Sequence, residues 1–345
     1  MEVRKRRLDC PLVNEQGAKA MRFVVGIDLG GTNIKAGLVD ESGRLLRKKR
    51  TKTQTDGTQD AIVQDMALLA RSLMDEENIS DDQVIAVGVG APGTPDNAGG
   101  NLIYANNLPF RNVPIRSIMR KFLDRPTFVD NDANVAALAE SVAGAARNTS
   151  HSVTLTLGTG VGGGVVIHKQ IYSGFNHAGC EIGHMVIRSG GESCTCGRRG
   201  CFEAYASATA LIRETERAAR AKPASLLNKL IADNGGHADG RTAFIGMRQG
   251  DQAAQFVVDD YTSMIAEGLA NVINLYMPEV IALGGGVCHE GEDLLRPVRA
   301  KAIARAYLGI GVPEPRIVLA ELGNDAGMIG AAMMAVSCLE QGLEG

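Results

Sequence analysis

No apolar run in this 345-residue chain approaches the roughly 18 residues that a helix needs to cross a bilayer. No sign of charge dominates: 36 Lys and Arg stand against 39 Asp and Glu, a net charge of −3. Such a balance sets up no strong field for a polyanion, which argues against nucleic acid as the main partner. The basic start (Arg4, Lys5, Arg6, Arg7) has no apolar core behind it, so it does not read as a secretory signal. Residues 1–20 read instead as a short disordered arm, with Met21 able to serve as a second start. Four of the seven cysteines, Cys10, Cys180, Cys288 and Cys338, are scattered without disulfide-like spacing. That pattern fits a reducing cytoplasm.

Length suits two domains with sizeable cores, and 45% hydrophobic with 22% charged residues is ordinary for a soluble globular protein. Glycine is abundant at 42 residues, which favours backbone loops lying close to a ligand.

The stretch from Glu181 to Glu203 is the most informative. His184, Cys194, Cys196 and Cys201 fall within 18 positions, and one imidazole with three thiolates matches a closed tetrahedral zinc site. Glu181 and Glu203 bracket this set and are surplus to it. Either zinc fixes a loop whose glutamates and part of His184 face a small polar ligand, or the segment is a purely structural ribbon with both glutamates on the surface.

Residues 22–27 and 34–39 read as strands joined by Asp28-Leu29-Gly30-Gly31-Thr32-Asn33. No Gly-Lys-Ser/Thr follows and no helix follows, so this is neither a Walker loop nor a dinucleotide fingerprint. A hairpin of this kind offers backbone N–H groups and a hydroxyl to an anion, and Asp28 suits a hydrated Mg²⁺. Leu157-Gly158-Thr159-Gly160 repeats the pattern 128 positions later, strand for strand. Two such units facing each other describe a clamp around a polyphosphate; two coincidental Gly-rich turns are the alternative.

The basic run Arg44–Lys52 reads as a solvated edge strand, and 58–77 as an amphipathic helix burying Ile62, Met66, Leu69 and Leu73. The strand 84–89 ends near Gly93, a position where ligands sit in open α/β folds. Asn106 and Asn107 are amide donors suited to hydroxyl-rich ligands, or simply turn residues. A strand over 127–129 runs into Asn131 and Asp132, and a helix follows over 133–146. Asp132 is then either a functional carboxylate kept ionised by the helix dipole or the N-cap. Helices are expected near 206–222, 224–233, 251–277 and 292–307, and strands over 280–283 and 316–322. Gly284, Gly285 and Gly286 let backbone approach a nucleoside. A last helix to about 341 opens with small residues suited to a tight domain junction.

With these pieces the chain resembles the ROK-family sugar kinases and, within them, the bacterial glucokinases of Gram-positive type. The resemblance rests on Asp28-x-Gly-Gly-Thr32, Asn131-Asp132, Leu157–Gly164, Glu181-x-Gly-His184, Cys194-x-Cys-Gly-x-x-Gly-Cys-x-Glu203 and Gly284–Gly286, over about residues 22–335. It implies an α/β, actin-like ATPase fold: two duplicated, ribonuclease H-like domains around a cleft. Residues 21–131 with about 324–345 would form the smaller domain, and 132–323 the larger, carrying the zinc-bound loop 184–201. It implies ATP-dependent phosphorylation of glucose at the 6-hydroxyl, with N-acetylmannosamine kinase and fructokinase as alternatives inside the family. A non-catalytic sugar-sensing regulator and a zinc-ribbon interaction module are the alternatives outside it. About 27 residues precede the first hairpin, too few for the helix-turn-helix of ROK repressors.

By the same resemblance Asp132 is the base. Gly93, Asn107, Asn131, Glu181, His184 and Glu203 bind sugar, and Asp28, Gly30, Gly31, Thr32, Asn33, Lys35, Gly158, Thr159, Gly160 and Gly284–Gly286 hold ATP and Mg²⁺. His184, Cys194, Cys196 and Cys201 bind zinc. Partners are then a hexose and ATP, neither nucleic acid nor membrane, in a homodimer or homotetramer. Cys180, just before Glu181, departs from the commonest family pattern and is expected to be a buried spectator. Because the hairpins lie far from the zinc segment in sequence, loss of zinc is expected to spare nucleotide binding.

Overall fold

The computed structural model describes residues 22–96, 99–105 and 108–345; the expected N-terminal arm and Asn107 lie outside the described residues. β1 (Phe23–Leu29) and β2 (Asn33–Asp40) form an antiparallel hairpin, and β3 (Leu45–Lys52) adds to its edge with most of its basic side chains in solvent. α1 (Gln59–Glu76) starts at Thr58, whose Oγ1 accepts from Ala61 N at 3.2 Å. β4 (Val84–Ala91) returns parallel to β1. A small sheet of β5 (Thr94–Asp96), β6 (Asn101–Tyr104) and β7 (Arg111–Val113), then α2 (Ile115–Met119), intervene before β8 (Thr127–Asn131) pairs parallel to β4. The chain then enters α3 (Asp132–Val142).

The second half repeats this. β9 (His151–Leu157), β10 (Val161–Ile167) and β11 (Gln170–Tyr172) form the antiparallel part. After the cysteine-rich segment come α4 (Glu203–Ala206), α5 (Ala208–Ala221), α6 (Leu226–Asp233), α7 (Thr242–Arg248) and α8 (Gln252–Tyr276). β12 (Val280–Gly284), α9 (Glu292–Arg305) and β13 (Arg316–Leu319) complete a sheet whose last two strands run parallel to β9. α10 (Ala326–Glu340) follows.

The two sheets have the same strand order, β3-β2-β1-β4-β8 and β11-β10-β9-β12-β13. The duplication read from two glycine turns is therefore architectural, with one correction. Leu29 pairs with Ile34 across a turn of Gly30–Asn33, whereas Leu157 pairs with Val161 across the shorter Gly158–Gly160. The 128-position offset thus holds only up to the turn. The small β5–β7 sheet, α2 and α7 had no signal in the sequence reading. α3 stops at Val142 rather than 146, since the Glu140 side chain takes the N–H of Ala145 and the chain leaves the helix.

Strand alternation decides which side of each sheet does what. Val25, Ile27 and Leu29 of β1 point into a core shared with α1. Val24, Gly26 and Asp28 point the other way, towards α10. A Cβ on Gly26 would lie 1.9 Å from the carbonyl oxygen of Met328, so only glycine lets α10 lie on the sheet. In the second sheet Val153, Leu155 and Leu157 pack towards α8, and α3 lies over the opposite face, where a Cβ on Gly164 would meet the backbone of Ala133. α3 and α10 pack directly on each other, and Gly330 sits against the carbonyl of Val135. The small residues opening the last helix are there because two helices and a sheet meet with almost no side chain between them.

Candidate active-site cleft

Between the sheets lies a cleft of ≈ 1070 Å³. The alternation that aims Asp28 at α10 also brings its carboxylate to the cleft wall, where Lys35 Nζ donates to its Oδ2 at 2.9 Å. Lys35 also reaches the carbonyl of Asn324 at 3.4 Å, tying the first hairpin to the start of α10.

β8 delivers Asn131 and Asp132 to the floor. The choice between cap and functional carboxylate resolves through their neighbours. Asn131 is the cap of α3, its Oδ1 accepting from Ala133 N at 2.9 Å and Asn134 N at 3.4 Å, while its Nδ2 donates to Gly93 O at 3.0 Å. Asp132, one residue inside the helix, keeps its carboxylate on the cleft and accepts only from Ala133 N, at 2.9 Å, among the described contacts. Its side chain is open to the cleft yet deeply seated among protein atoms. That burial raises its pKa above the ordinary carboxylate range, and the negative charges of Asp28 and Glu181 act in the same direction. The helix N-terminus was expected to hold Asp132 ionised; its N–H does pull that way, but desolvation outweighs it.

The second hairpin turn, Gly158–Thr159–Gly160, lines the cleft with Gly284–Gly286. Gly285 has φ +98°, and a Cβ there would lie 2.3 Å from Leu157 O, so glycine is what lets the two turns touch. Of the first hairpin, Asp28 and Lys35 reach the wall; Gly30, Gly31, Thr32 and Asn33 do not line the cavity. Their turn is held from behind by Thr53, whose Oγ1 donates to Gly30 O at 2.7 Å.

Glu181, His184 and Glu203 also line the cleft. The three cysteines stand behind them. A tight turn, with Cys194 N donating to Arg198 O at 2.9 Å and Gly197 at φ +85°, folds Cys196 back beside Cys201. The two Sγ atoms are 3.7 Å apart, and His184 Nδ1 lies 3.6 Å from Cys194 Sγ. All four donor atoms lie within 4.8 Å of one another. A tetrahedron with Zn–S near 2.3 Å has S···S edges of about 3.8 Å; the Cys196–Cys201 pair matches that edge and the whole donor set is compact enough to close on one zinc ion. Both bracketing glutamates line the cleft, Glu181 exposed and Glu203 half-buried. Glu203 Oε1 accepts from Thr195 Oγ1 at 3.0 Å, inside the cysteine loop, while its Oε2 accepts from Val161 N at 3.1 Å, where β10 leaves the glycine turn. Far apart in sequence, the cysteine loop and the second glycine turn share one carboxylate. Cys180 is half-buried rather than buried, at φ +64°, with Sγ 3.7 Å from the Tyr276 hydroxyl and a place on the cleft wall.

Sequence reasoning passed over several wall residues: Thr156, His177, His289, Asn324 and Glu140. Alternation along β9 could have exposed Thr156, since it faces opposite to Leu155 and Leu157. Nothing in the sequence marks the others. Among the described residues no helix is long and apolar enough to cross a membrane.

The ROK family model matches residues 24–337. The chain is 36% identical over 311 residues to a glucokinase of Thermotoga maritima, covering 90% of this chain and 96% of that one. Among solved structures it is similar to a ROK family glucokinase from Streptomyces griseus in complex with glucose and AMPPNP, at 33% identity and TM-score 0.75, covering 91% and 99% of the two chains. It is also similar to a ROK hexokinase from Thermus thermophilus, at 34% identity and TM-score 0.76, covering 92% and 99%.

Proposed function

The chain belongs to the ROK family, and on that premise we propose that it is a glucokinase, transferring the γ-phosphoryl group of ATP to the 6-hydroxyl of D-glucose. The observation that carries this reading is the position of Asp132. Its carboxylate stands on one cleft floor with the glycine turns and Asp28 on one hand and Glu181, His184 and Glu203 on the other.

Phosphoryl transfer asks a protein chiefly for positioning and charge stabilisation. Asp132, unencumbered by a salt bridge in the described contacts and with a raised pKa, accepts the proton of the attacking hydroxyl. Glu181, Glu203 and His184 take the remaining sugar hydroxyls, with Gly93 and Asn131 beneath them. Asn131 has one amide N–H left for this, because its other polar groups are committed to the helix cap and Gly93. Lys35, Gly158–Gly160 and Gly284–Gly286 hold the nucleotide. Asp28 is a carboxylate of the kind that holds a hydrated Mg²⁺ beside phosphates. His184 Nδ1, Cys194, Cys196 and Cys201 would hold a zinc ion as a fixed anchor rather than for chemistry, which would lock the imidazole and the loop that braces Glu203. In this reading residues 21–131 with 324–345, and 132–323, are the two lobes.

The test is ADP release over a panel of hexoses with ATP, on the full chain. Glucose is expected to give the highest kcat/KM. Equal kcat/KM for N-acetylmannosamine or fructose would replace glucose by a broader hexose assignment, and ADP release with no hexose in the panel would end the reading.

A further inference from the structure

The chain passes from the first sheet to the second through α3 and residues 143–150, and returns through residues 320–325 into α10. Glu140, on the last turn of α3, is 1% exposed and joins the two passages. Its Oε2 accepts from Ala145 N at 2.8 Å and from Glu321 N at 3.1 Å, and its Oε1 accepts from Leu322 N at 2.9 Å. One buried carboxylate thus gathers three backbone N–H groups, one on the outgoing segment and two on the returning one. At the surface Arg147 repeats the link, donating to Gly144 O at 3.1 Å and to the Glu321 carboxylate. Glu140 also lies two turns along the same helix from Asp132, and Asp132, Ala136 and Glu140 all line the cleft.

A buried carboxylate is costly to desolvate, but here it satisfies three backbone N–H groups that an apolar side chain would leave unpaired. What it offers is a joint: its two oxygens keep their N–H partners over a range of angles, whereas close-packed apolar groups do not. We propose that Glu140 is the hinge pin of the protein, a positioning residue that sets the angle at which the two halves close and hence the distance from Asp132 to the nucleotide. The kinetic part of this rests on the hexose-kinase reading above; the mechanical part does not.

Glu140→Gln replaces one acceptor by an NH₂ facing backbone donors, and Glu140→Ala removes the joint. Amide hydrogen exchange on the unliganded full chain is expected to rise at Ala145, Glu321 and Leu322 in both variants. A 1 Å misplacement of reacting groups costs on the order of 10²-fold, so kcat for glucose should fall by about that factor, with KM for ATP within about threefold of the parent. Small-angle scattering should show glucose-induced compaction altered. Arg147→Ala loosens the same two segments from the surface and is expected to move all three readouts less, in the same direction. Unchanged exchange at the three amides, or a folded Glu140→Gln with parental kcat and compaction, overturns the proposal. Should both Glu140 variants unfold while Arg147→Ala moves nothing, the residue serves the fold alone and the proposal also fails. Altered exchange in a protein that phosphorylates no hexose would leave the hinge standing and remove the kinase reading instead.

Discussion

Replacing Cys196 by Ser is the cleanest way to ask what the cysteine loop does for the cleft. Cys196 is exposed, whereas Cys201 is fully buried beside the core residue Phe202, so the substitution removes a proposed metal ligand without opening a cavity. Three ligands remain, and hydroxyl is a poor replacement for thiolate toward zinc. With the metal lost, the pairing of Cys196 with Cys201 and of Cys194 with His184 Nδ1, at 3.7 and 3.6 Å, has nothing to hold it. His184 is then free to turn, and Thr195 no longer keeps its 3.0 Å hold on Glu203 Oε1. Two of the groups assigned to the sugar hydroxyls have lost their brace. A displacement of about 1 Å in such groups costs on the order of 10²-fold, or about 2.7 kcal/mol of transition-state binding. The expected result is a chain with less than one zinc, unchanged far-UV circular dichroism and kcat/KM for glucose lower by about 10². Sequence distance suggested that ATP would be untouched, but Glu203 Oε2 is bonded to Val161 N at the end of the second glycine turn. KM for ATP should therefore also rise, by a factor of a few rather than a hundred, because only one edge of that turn is loosened. Metal analysis with glucose and ATP titrations decides it. A zinc-free protein with parental glucose kcat/KM refutes the brace, and a variant that unfolds globally refutes the claim that the metal acts locally.

Asp132→Asn should lower kcat by about 10²–10⁴ while glucose binding survives, checked by steady-state kinetics and calorimetric titration. The carboxyl's pKa is raised in the folded protein, so its ionised form is disfavoured at any pH above the unfolded value; Asp132→Asn should therefore raise Tm slightly, measured by scanning calorimetry at pH 7. By the same shift the acidic limb of kcat/KM should descend at a higher pH than an unperturbed aspartate gives, and a limb centred near 3.8 would contradict it. 2-Deoxyglucose should be a poorer substrate than glucose, by up to about 10⁴ where a group is left buried and unpaired, and Glu203→Gln should narrow the gap. Gly330→Ala places a Cβ 1.7 Å from Val135 O; overpacking of about 1–3 kcal/mol outweighs the roughly 1 kcal/mol gained in helix propensity, so Tm should fall.

The sequence by itself determined the elements that depend on near neighbours. The apolar runs made β1 and β9, the 3.6-period run made α1, and the Cys-x-Cys-Gly turn brought its thiols together because a tight turn closes over few residues. Glycine turns repeated 128 positions apart disclosed the duplication before any coordinate did. Only the tertiary structure decided what depended on partners far along the chain. It made Asn131 the cap and released Asp132, because Gly93, in the bend after β4, meets the amide. It raised the pKa of Asp132 against the pull of its own helix, because burial is set by everything that surrounds a group and the dipole by one turn of it. It joined Glu203 to a hairpin 42 positions away, and Glu140 to a segment 181 positions away. Local pattern carries torsional preference and one face of burial; which two distant segments share a carboxylate is fixed only when the sheets pack.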